Sequence, residues 1–263
     1  MLKVSIITIS MNDAPYIEDC LRSVHAQDYE EIEHIVVDGG SSDGTLDILS
    51  RHPPRNGVVI SEKDDGIYDA INKGLLIANG DVVALLNSDN FYESCRVVSQ
   101  IVRALETSGA ELVYADAYMV DPDETSVVHR VWKGGEFSPG LFDRGWMPPH
   151  QTVFLYRRLH DSFGFYDTSF RIAADYEFLL RILVKHSVSC AYLPSVIVRA
   201  RIGGVSNRSL WSVIQANLEV LRAWAVNGLR APVLLLILKP FKKLSQLTFR
   251  GALSFRLACF RKG

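Results

Sequence analysis

Apolar positions along the first half of the chain follow two alternating periods. Val4-Ser5-Ile6-Ile7-Thr8-Ile9, Glu33-His34-Ile35-Val36-Val37, Val58-Val59-Ile60-Ser61, residues 82–86 and Glu111-Leu112-Val113-Tyr114 are short, β-branched and apolar. They read as buried strands. Between them the period lengthens. Ile17, Cys20, Leu21 and Val24 predict one helix face; Leu46 and Leu49 a short helix; Ile67, Ala70, Ile71, Gly74, Leu75 and Ala78 another face; Val97, Val98, Ile101, Val102 and Leu105 a fourth. Asn12 or Asp13 is expected to cap the first helix, with Pro15 in its first turn, Asp43 to cap the second, and Gly80 to close the third. Strands alternating with helices imply right-handed βαβ crossovers and a largely parallel sheet.

The pattern then loosens. Residues 117–133 predict a strand pair around Asp121-Pro122-Asp123, and the Gly- and Pro-rich stretch 134–150 predicts a covering loop. Gln151-Thr152-Val153-Phe154-Leu155 reads as a strand. Phe178, Leu179, Ile182 and Leu183 define a helical face within 173–186, and Ser209 would cap a longer helix through Val213, Leu218, Leu221 and Trp224. The expected division is a catalytic domain over 1–208 and a C-terminal helical segment over 209–263.

Charge sharpens that division. The chain of 263 residues carries a net −2, yet nine basic and no acidic residues follow Glu219, leaving the body before them at −11. From Val233 onward, seven basic residues are interleaved with Leu, Ile and Phe. A basic amphipathic segment suits a membrane surface; packing on the body or on a second copy of the chain is the other reading. The acidic body argues against a nucleic-acid partner. Cys20, Cys95, Cys190 and Cys259 are widely spaced and read as free thiols of a reducing compartment. The first strand begins almost at the start, so no export signal is expected, and no apolar run is long enough for a conventional span.

Two carboxylates stand where chemistry is expected. Asp38 and Asp89, 51 positions apart, each follow a strand. In a parallel sheet both lie along the carboxyl edge, where open α/β folds bind ligands. A divalent cation such as Mg²⁺ takes one or two protein carboxylates there, with phosphate oxygens and water completing its shell. Asn, Ser and Asp also favour plain turns, which is the bland reading of Asn87-Ser88-Asp89-Asn90.

An ordered series of segments resembles the family 2 inverting glycosyltransferases. It comprises Ile6-Ile7-Thr8, Val37-Asp38-Gly39-Gly40-Ser41-Ser42-Asp43-Gly44-Thr45, residues 61–74 (SEKDDGIYDAINKG), Gly80-Asp81 and Asn87-Ser88-Asp89. The branch it is most similar to makes bacterial exopolysaccharide, colanic acid and O-antigen. The resemblance, over roughly residues 3–205, implies an A-type glycosyltransferase fold: one mixed, mostly parallel sheet flanked by helices, followed here by a helical tail. It also implies a UDP-, GDP- or dTDP-linked sugar donor, Mg²⁺ or Mn²⁺, a lipid-linked saccharide acceptor, and a cytoplasmic enzyme peripheral on the inner membrane surface.

By the same resemblance the donor site comprises Thr8, Ser10, Asp38, Glu62, Asp65, Gly66, Tyr68, Asn72, Lys73, Asn87 and Ser88. Asp38 would bond the nucleotide base, and Asp89 would bind the metal or diphosphate within a variant Asp-x-Asp motif. Asn87 replaces the first Asp, and Asn90 stands where a further Asp is frequent. Lys73 would add positive charge at the diphosphate; its plain reading is an exposed helix lysine. Inversion needs a base for the acceptor hydroxyl, and Asp175 in Ala173-Ala174-Asp175-Tyr176-Glu177 matches the family's acidic motif, with Ala174 where Glu is common. His150 and Gln151 would line the acceptor side, and Arg199, Arg201 and Ser206 would form a mobile basic lid. Two other readings stay open: a sugar-nucleotide pyrophosphorylase, although Ser10-Met11-Asn12-Asp13 is no Gly-rich basic phosphate loop, and a non-catalytic nucleotide-sugar-binding scaffold.

Overall fold

The computed structural model describes residues 1–203 and 210–232. Ser206, the cap expected at Ser209 and the basic apolar tail from Val233 lie outside the described residues. One nine-stranded sheet organises the fold. In chain order its strands are β1 (Val4–Ser10), β2 (Ile32–Asp38), β3 (Val58–Ser61), β4 (Val82–Leu85), β5 (Asn90–Tyr92), β6 (Leu112–Val120), β7 (Val128–Trp132), β8 (Phe154–Tyr156) and β9 (Cys190–Arg201). The spatial order is β3-β2-β1-β4-β8-β6-β9-β5, with β7 paired to β6. The first four strands run parallel, as their spacing predicts. β8 enters antiparallel to both β4 and β6, and β9 returns parallel to β6, so the whole sheet is mixed.

Every residue of β1 and of β2 is buried, because helices cover both faces. Ile7, Ile9, Val37, Val83 and Leu85 face one core, shared with α3 (Ile67–Ile77), α6 (Ala174–Leu180) and α7 (Leu210–Val226). Val4, Ile6, Val82, Ala84 and Leu86 face the other, with Cys20 and Val24 of α1 (Ile17–His25) and Val98, Ile101 and Leu105 of α4 (Val97–Ser108). The alternation along β1 is the strand period of two feeding two separate cores.

Several local expectations need correction. Neither Asn12 nor Asp13 caps α1 with its side chain; the Asp13 carbonyl accepts from the Tyr16 and Ile17 amides, and the helix starts a turn later. Asp43 sits one residue before the cap position of α2 (Thr45–Arg51), although its carboxylate accepts from the Thr45 amide at 3.0 Å. Gly80 does not close α3, which ends at Ala78 in extended geometry. A Cβ on Gly80 would lie 2.6 Å from the Ser5 amide nitrogen, so close passage beside β1 is what demands glycine there. The strand expected at 151–155 begins only at Phe154, because residues 150–152 form a 3-10 turn. The short α5 (Arg158–Phe163) and strands β5 and β9 were not expected.

The boundary expected after residue 208 does not set α7 apart. Val220, Ala223 and Trp224 belong to the same core as β1 and α6. The Trp224 indole donates to the Tyr176 hydroxyl at 3.0 Å, and the Asn227 amide donates to Glu177 at 2.9 Å. Among the described residues no helix is long and apolar enough to cross a membrane.

Candidate functional site

The register of the parallel strands builds one rim. Ser10 pairs with Asp38, and Asp38 with Ser61, so β1, β2 and β3 end level. β4 ends beside them and delivers residues 87–89 to the same edge. Asp38 is fully buried. Its carboxylate accepts from the Gly40 amide (3.1 Å), the Ser41 amide (2.9 Å), the Ser41 hydroxyl and the Ser61 hydroxyl (2.8 Å). Three of these donors meet Oδ2 and one meets Oδ1, so Oδ1 keeps an acceptor position beyond the Ser41 hydroxyl. The residue also shapes loop 39–41. Thr8 is likewise turned inward, with its hydroxyl 2.9 Å from His34 Nε2. Asn72 clamps the Tyr166 backbone, donating to its carbonyl (2.8 Å) and accepting from its amide (3.1 Å).

At the rim itself, the buried Ser10 hydroxyl has no partner among the described residues. Ser88 donates to the Asp13 carboxylate. Asp89 differs from its neighbours: its Oδ1 is buried with no hydrogen-bond partner. Burial, with the nearby Asp13 charge second, raises its pKa to about 6. A carboxylate held this way suits a cation as its counter-charge. No group of three or more candidate ligands exists among the described residues; a site of one or two carboxylates, completed by phosphate and water, is the set Asp89 and Asp13 can furnish. Asn87 keeps a partly exposed side chain beside it. Asn90 is spent on structure, donating to Gln151 Oε1 at 2.7 Å and accepting from the Arg201 amide at 3.1 Å.

Loop 62–66 and the first turn of α3 form the next wall. Gly66 has φ +117°, a conformation few side chains tolerate, and its amide donates to Asp64 at 2.9 Å. The Asp65 amide donates to Asp69. Lys73 is not a free solvated lysine. Its Nζ lies 2.8 Å from Glu62 and 3.3 Å from Asp69 and donates to the Lys63 carbonyl. The Glu62 hydrogen bond leads in raising its pKa. Lys73 and Glu62 thus tie α3 to the loop in front of it.

The second half of the site closes around Asp175. The Asn90–Gln151 bond anchors the 3-10 turn that carries His150, whose Nδ1 stands 3.3 Å from Asp175 Oδ2 without the alignment of a hydrogen bond. Tyr68, from α3, donates to the Ile172 carbonyl (2.7 Å) and to Asp175 Oδ1 (3.3 Å), and its ring stacks on Tyr166. Asp175 is therefore approached from one side by an imidazole and from the other by a phenol. A continuous chain of contacts links it to the residue next to Asp89.

Arg199 and Arg201 are not part of a mobile lid. Both lie in β9. Arg199 pairs with Glu93. Arg201 is buried, pairs with Asp19, donates to the Asp89 carbonyl at 2.8 Å and lies against the Tyr16 and Phe91 rings. It pins the loop that presents Asp89. Asp13 was missed as a site residue; its position three residues past β1, whose last residue Ser10 pairs with Asp38, was the available signal.

A mixed sheet with parallel leading strands, a carboxylate rim and helices on both faces defines an A-type glycosyltransferase domain. Residues 5–173 match Glycosyl transferase family 2, and the chain belongs to that family. It is 39% identical over 180 residues to an uncharacterised glycosyltransferase of Mycobacterium tuberculosis, covering 68% of each chain. It is 31% identical over 210 residues to a PGL/p-HBAD biosynthesis glycosyltransferase of Mycobacterium bovis, covering 77% of this chain and 78% of that one. Two solved structures share the fold at 19% identity. Residues 1–349 of S. aureus TarS, solved with UDP-GlcNAc, align with a TM-score of 0.66 over 88% of this chain and 68% of that one. The mannosyltransferase PcManGT of Pyrobaculum calidifontis, solved with GDP-Man and Mn²⁺, aligns with a TM-score of 0.64 over 96% and 75%.

Proposed function

We propose that this glycosyltransferase inverts the configuration of the sugar it moves, from a nucleotide-sugar donor to a hydroxyl of a lipid-linked saccharide. The product would be a cell-surface glycoconjugate assembled at the cytoplasmic face of the membrane. The observation that carries the reading is Asp175, held between His150 and Tyr68 and joined through Gln151 and Asn90 to the rim where Asp89 lacks a partner. In this reading one carboxylate takes a proton and the other meets a charged donor.

In this mechanism Asp175 accepts the proton of the acceptor hydroxyl as its oxygen attacks the anomeric carbon. The bond from that carbon to the diphosphate breaks, and the nucleoside diphosphate leaves with the electron pair. His150 and Gln151 line the acceptor side. The Tyr68 hydrogen bond occupies Asp175 Oδ1 and leaves Oδ2, on the His150 side, for the acceptor hydroxyl. Mg²⁺ or Mn²⁺ held by Asp89, with Asp13 close by, would supply Lewis-acid stabilisation of the leaving diphosphate. The nucleotide sugars bound by TarS and PcManGT, and the Mn²⁺ of the latter, support a donor and metal of this class. The basic apolar sequence after Val233 supports a membrane seat for a lipid-linked acceptor.

The test is a screen of UDP-, GDP- and dTDP-sugars for thermal stabilisation, with and without Mn²⁺, since binding to the native state raises the melting temperature. The matching donor should shift the parent and Asp175→Asn alike, while transfer is lost only in the variant. Binding without transfer in the parent would favour a nucleotide-sugar-binding scaffold, and no shift with any donor would overturn the reading.

A further inference from the structure

α7 lies beyond the residues matched to the family, yet it reaches the segment that carries the proposed base. Glu219 faces inward from the middle of that helix and is 8% exposed. Its Oε1 accepts from the Arg171 amide at 3.1 Å, and its Oε2 from the Ile172 and Ala173 amides at 2.8 and 2.9 Å. Gln215, one turn earlier, donates to Oε1 at 3.1 Å. Three consecutive backbone N–H groups thus converge on one carboxylate from a distant part of the chain. Ala173 is the residue that opens α6, and Asp175 follows two positions later. On the carbonyl side of the same turn, Tyr68 donates to Ile172 at 2.7 Å and reaches Asp175 itself. The turn is therefore gripped on its N–H side by α7 and on its C=O side by α3.

A plain core contact would not need this arrangement. A buried carboxylate is costly unless its oxygens are satisfied by hydrogen bonds. Here all its protein donors but Gln215 are main-chain amides of the turn before Asp175. Further along, α7 holds α6 again through Trp224 to Tyr176 and Asn227 to Glu177. Each of these contacts fixes the direction in which α6 enters the site.

We infer that Glu219 is a positioning residue for transfer: it sets the entry of α6 and thereby aims Asp175 at the acceptor hydroxyl. The inference rests on the reading of Asp175 as the base. A geometric error near 1 Å at a reacting group costs about 10²-fold in rate, so truncating Glu219 should be felt in kcat with little change in donor binding.

The experiment uses the full chain and the donor identified by the thermal screen. Glu219→Ala and Glu219→Gln are assayed at a temperature where both remain folded, alone and combined with Asp175→Asn. The expected result is a fall in kcat of about 10- to 100-fold for Glu219→Ala, a smaller fall for Glu219→Gln, and a donor KM within about twofold of the parent. In the Asp175→Asn background Glu219→Ala should add no further loss, because the group it aims is gone. Amide exchange at Arg171, Ile172 and Ala173 should quicken in Glu219→Ala. Equal multiplicative losses with and without Asp175, or a donor KM that rises in step with the fall in kcat, would overturn the positioning role while leaving the base in place. If instead the parent transfers normally with Asp175→Asn, the reading of the base falls, and the role of Glu219 with it.

Discussion

Replacing Asp89 by Asn should make the ligand-free protein more stable and at the same time useless. The Asp89 pKa is raised from 3.8 to about 6, chiefly by burial. A raised carboxyl pKa means the native state holds the proton longer than the unfolded chain. Native stability is then lost as pH rises from about 4 through 6, and the full cost of the ionised carboxylate stands above that range. That rise corresponds to about 3 kcal/mol. Asn has the same shape and no charge, so Asp89→Asn should gain about 2–3 kcal/mol at pH 8 and nothing near pH 4. Urea unfolding of both proteins at pH 4, 6 and 8, without nucleotide or divalent cation, reads this directly. With Mn²⁺ and donor present the order should reverse, because only the parent gains the stabilisation of bound ligand. An Asn variant less stable than the parent at pH 8, or a stability difference that ignores pH, would refute the argument that Asp89 is held poised for a cation.

Arg201→Met should cost about 1–3 kcal/mol, since it leaves the Asp89 carbonyl without its donor while the exposed Asp19 carboxylate is solvated; a urea midpoint close to the parent's would contradict the pinning role. Tyr68→Phe removes the hydroxyl that bonds Ile172 and Asp175, so stability should fall by about 1–2 kcal/mol and kcat should drop more than donor affinity. His160 is buried against Phe178 and Phe165, and burial lowers its pKa to about 4. Its contribution is complete above pH 6.5 and is lost as pH falls toward 4. His160→Phe should therefore flatten the acid limb of the stability profile by up to about 3 kcal/mol, and an unchanged limb would count against it.

Much of the donor half could be read from the chain because physics wrote it locally. β1, β2 and β4 are buried on both faces and so appear as short stretches rich in Val and Ile, and Asp38 and Asp89 stand at or just past their ends. β9 was hidden. Its residues are mostly half-buried, and its register with β6 skips from Ala115–Leu193 to Asp116–Val196, accommodating Pro194, which has no amide to give the ladder. Losing β9 turned Arg199 and Arg201 into an apparent lid, when each has a carboxylate partner far away in sequence. β5 is only three residues long and follows polar Asn87-Ser88-Asp89, so no periodicity announces it. Glu219 did leave a signal: it lies on the same helix face as Ala223, and a lone carboxylate on a core-facing stripe must find donors. Which donors it finds depends on where α6 packs, and no local pattern states that.

The grip of α7 on α6 also bears on the order in which the molecule is made. Domains are built from the N-terminus as synthesis proceeds. The Asp38 end of the rim needs only β1 to β3, whereas the Asp89 loop waits for Arg201 and the clamp on the turn before Asp175 for residue 219. A growing chain can thus form the Asp38 end of the rim long before the proposed base is aimed. On the proposed reading of Asp175, the last helix to be translated among those described is the one that completes the site.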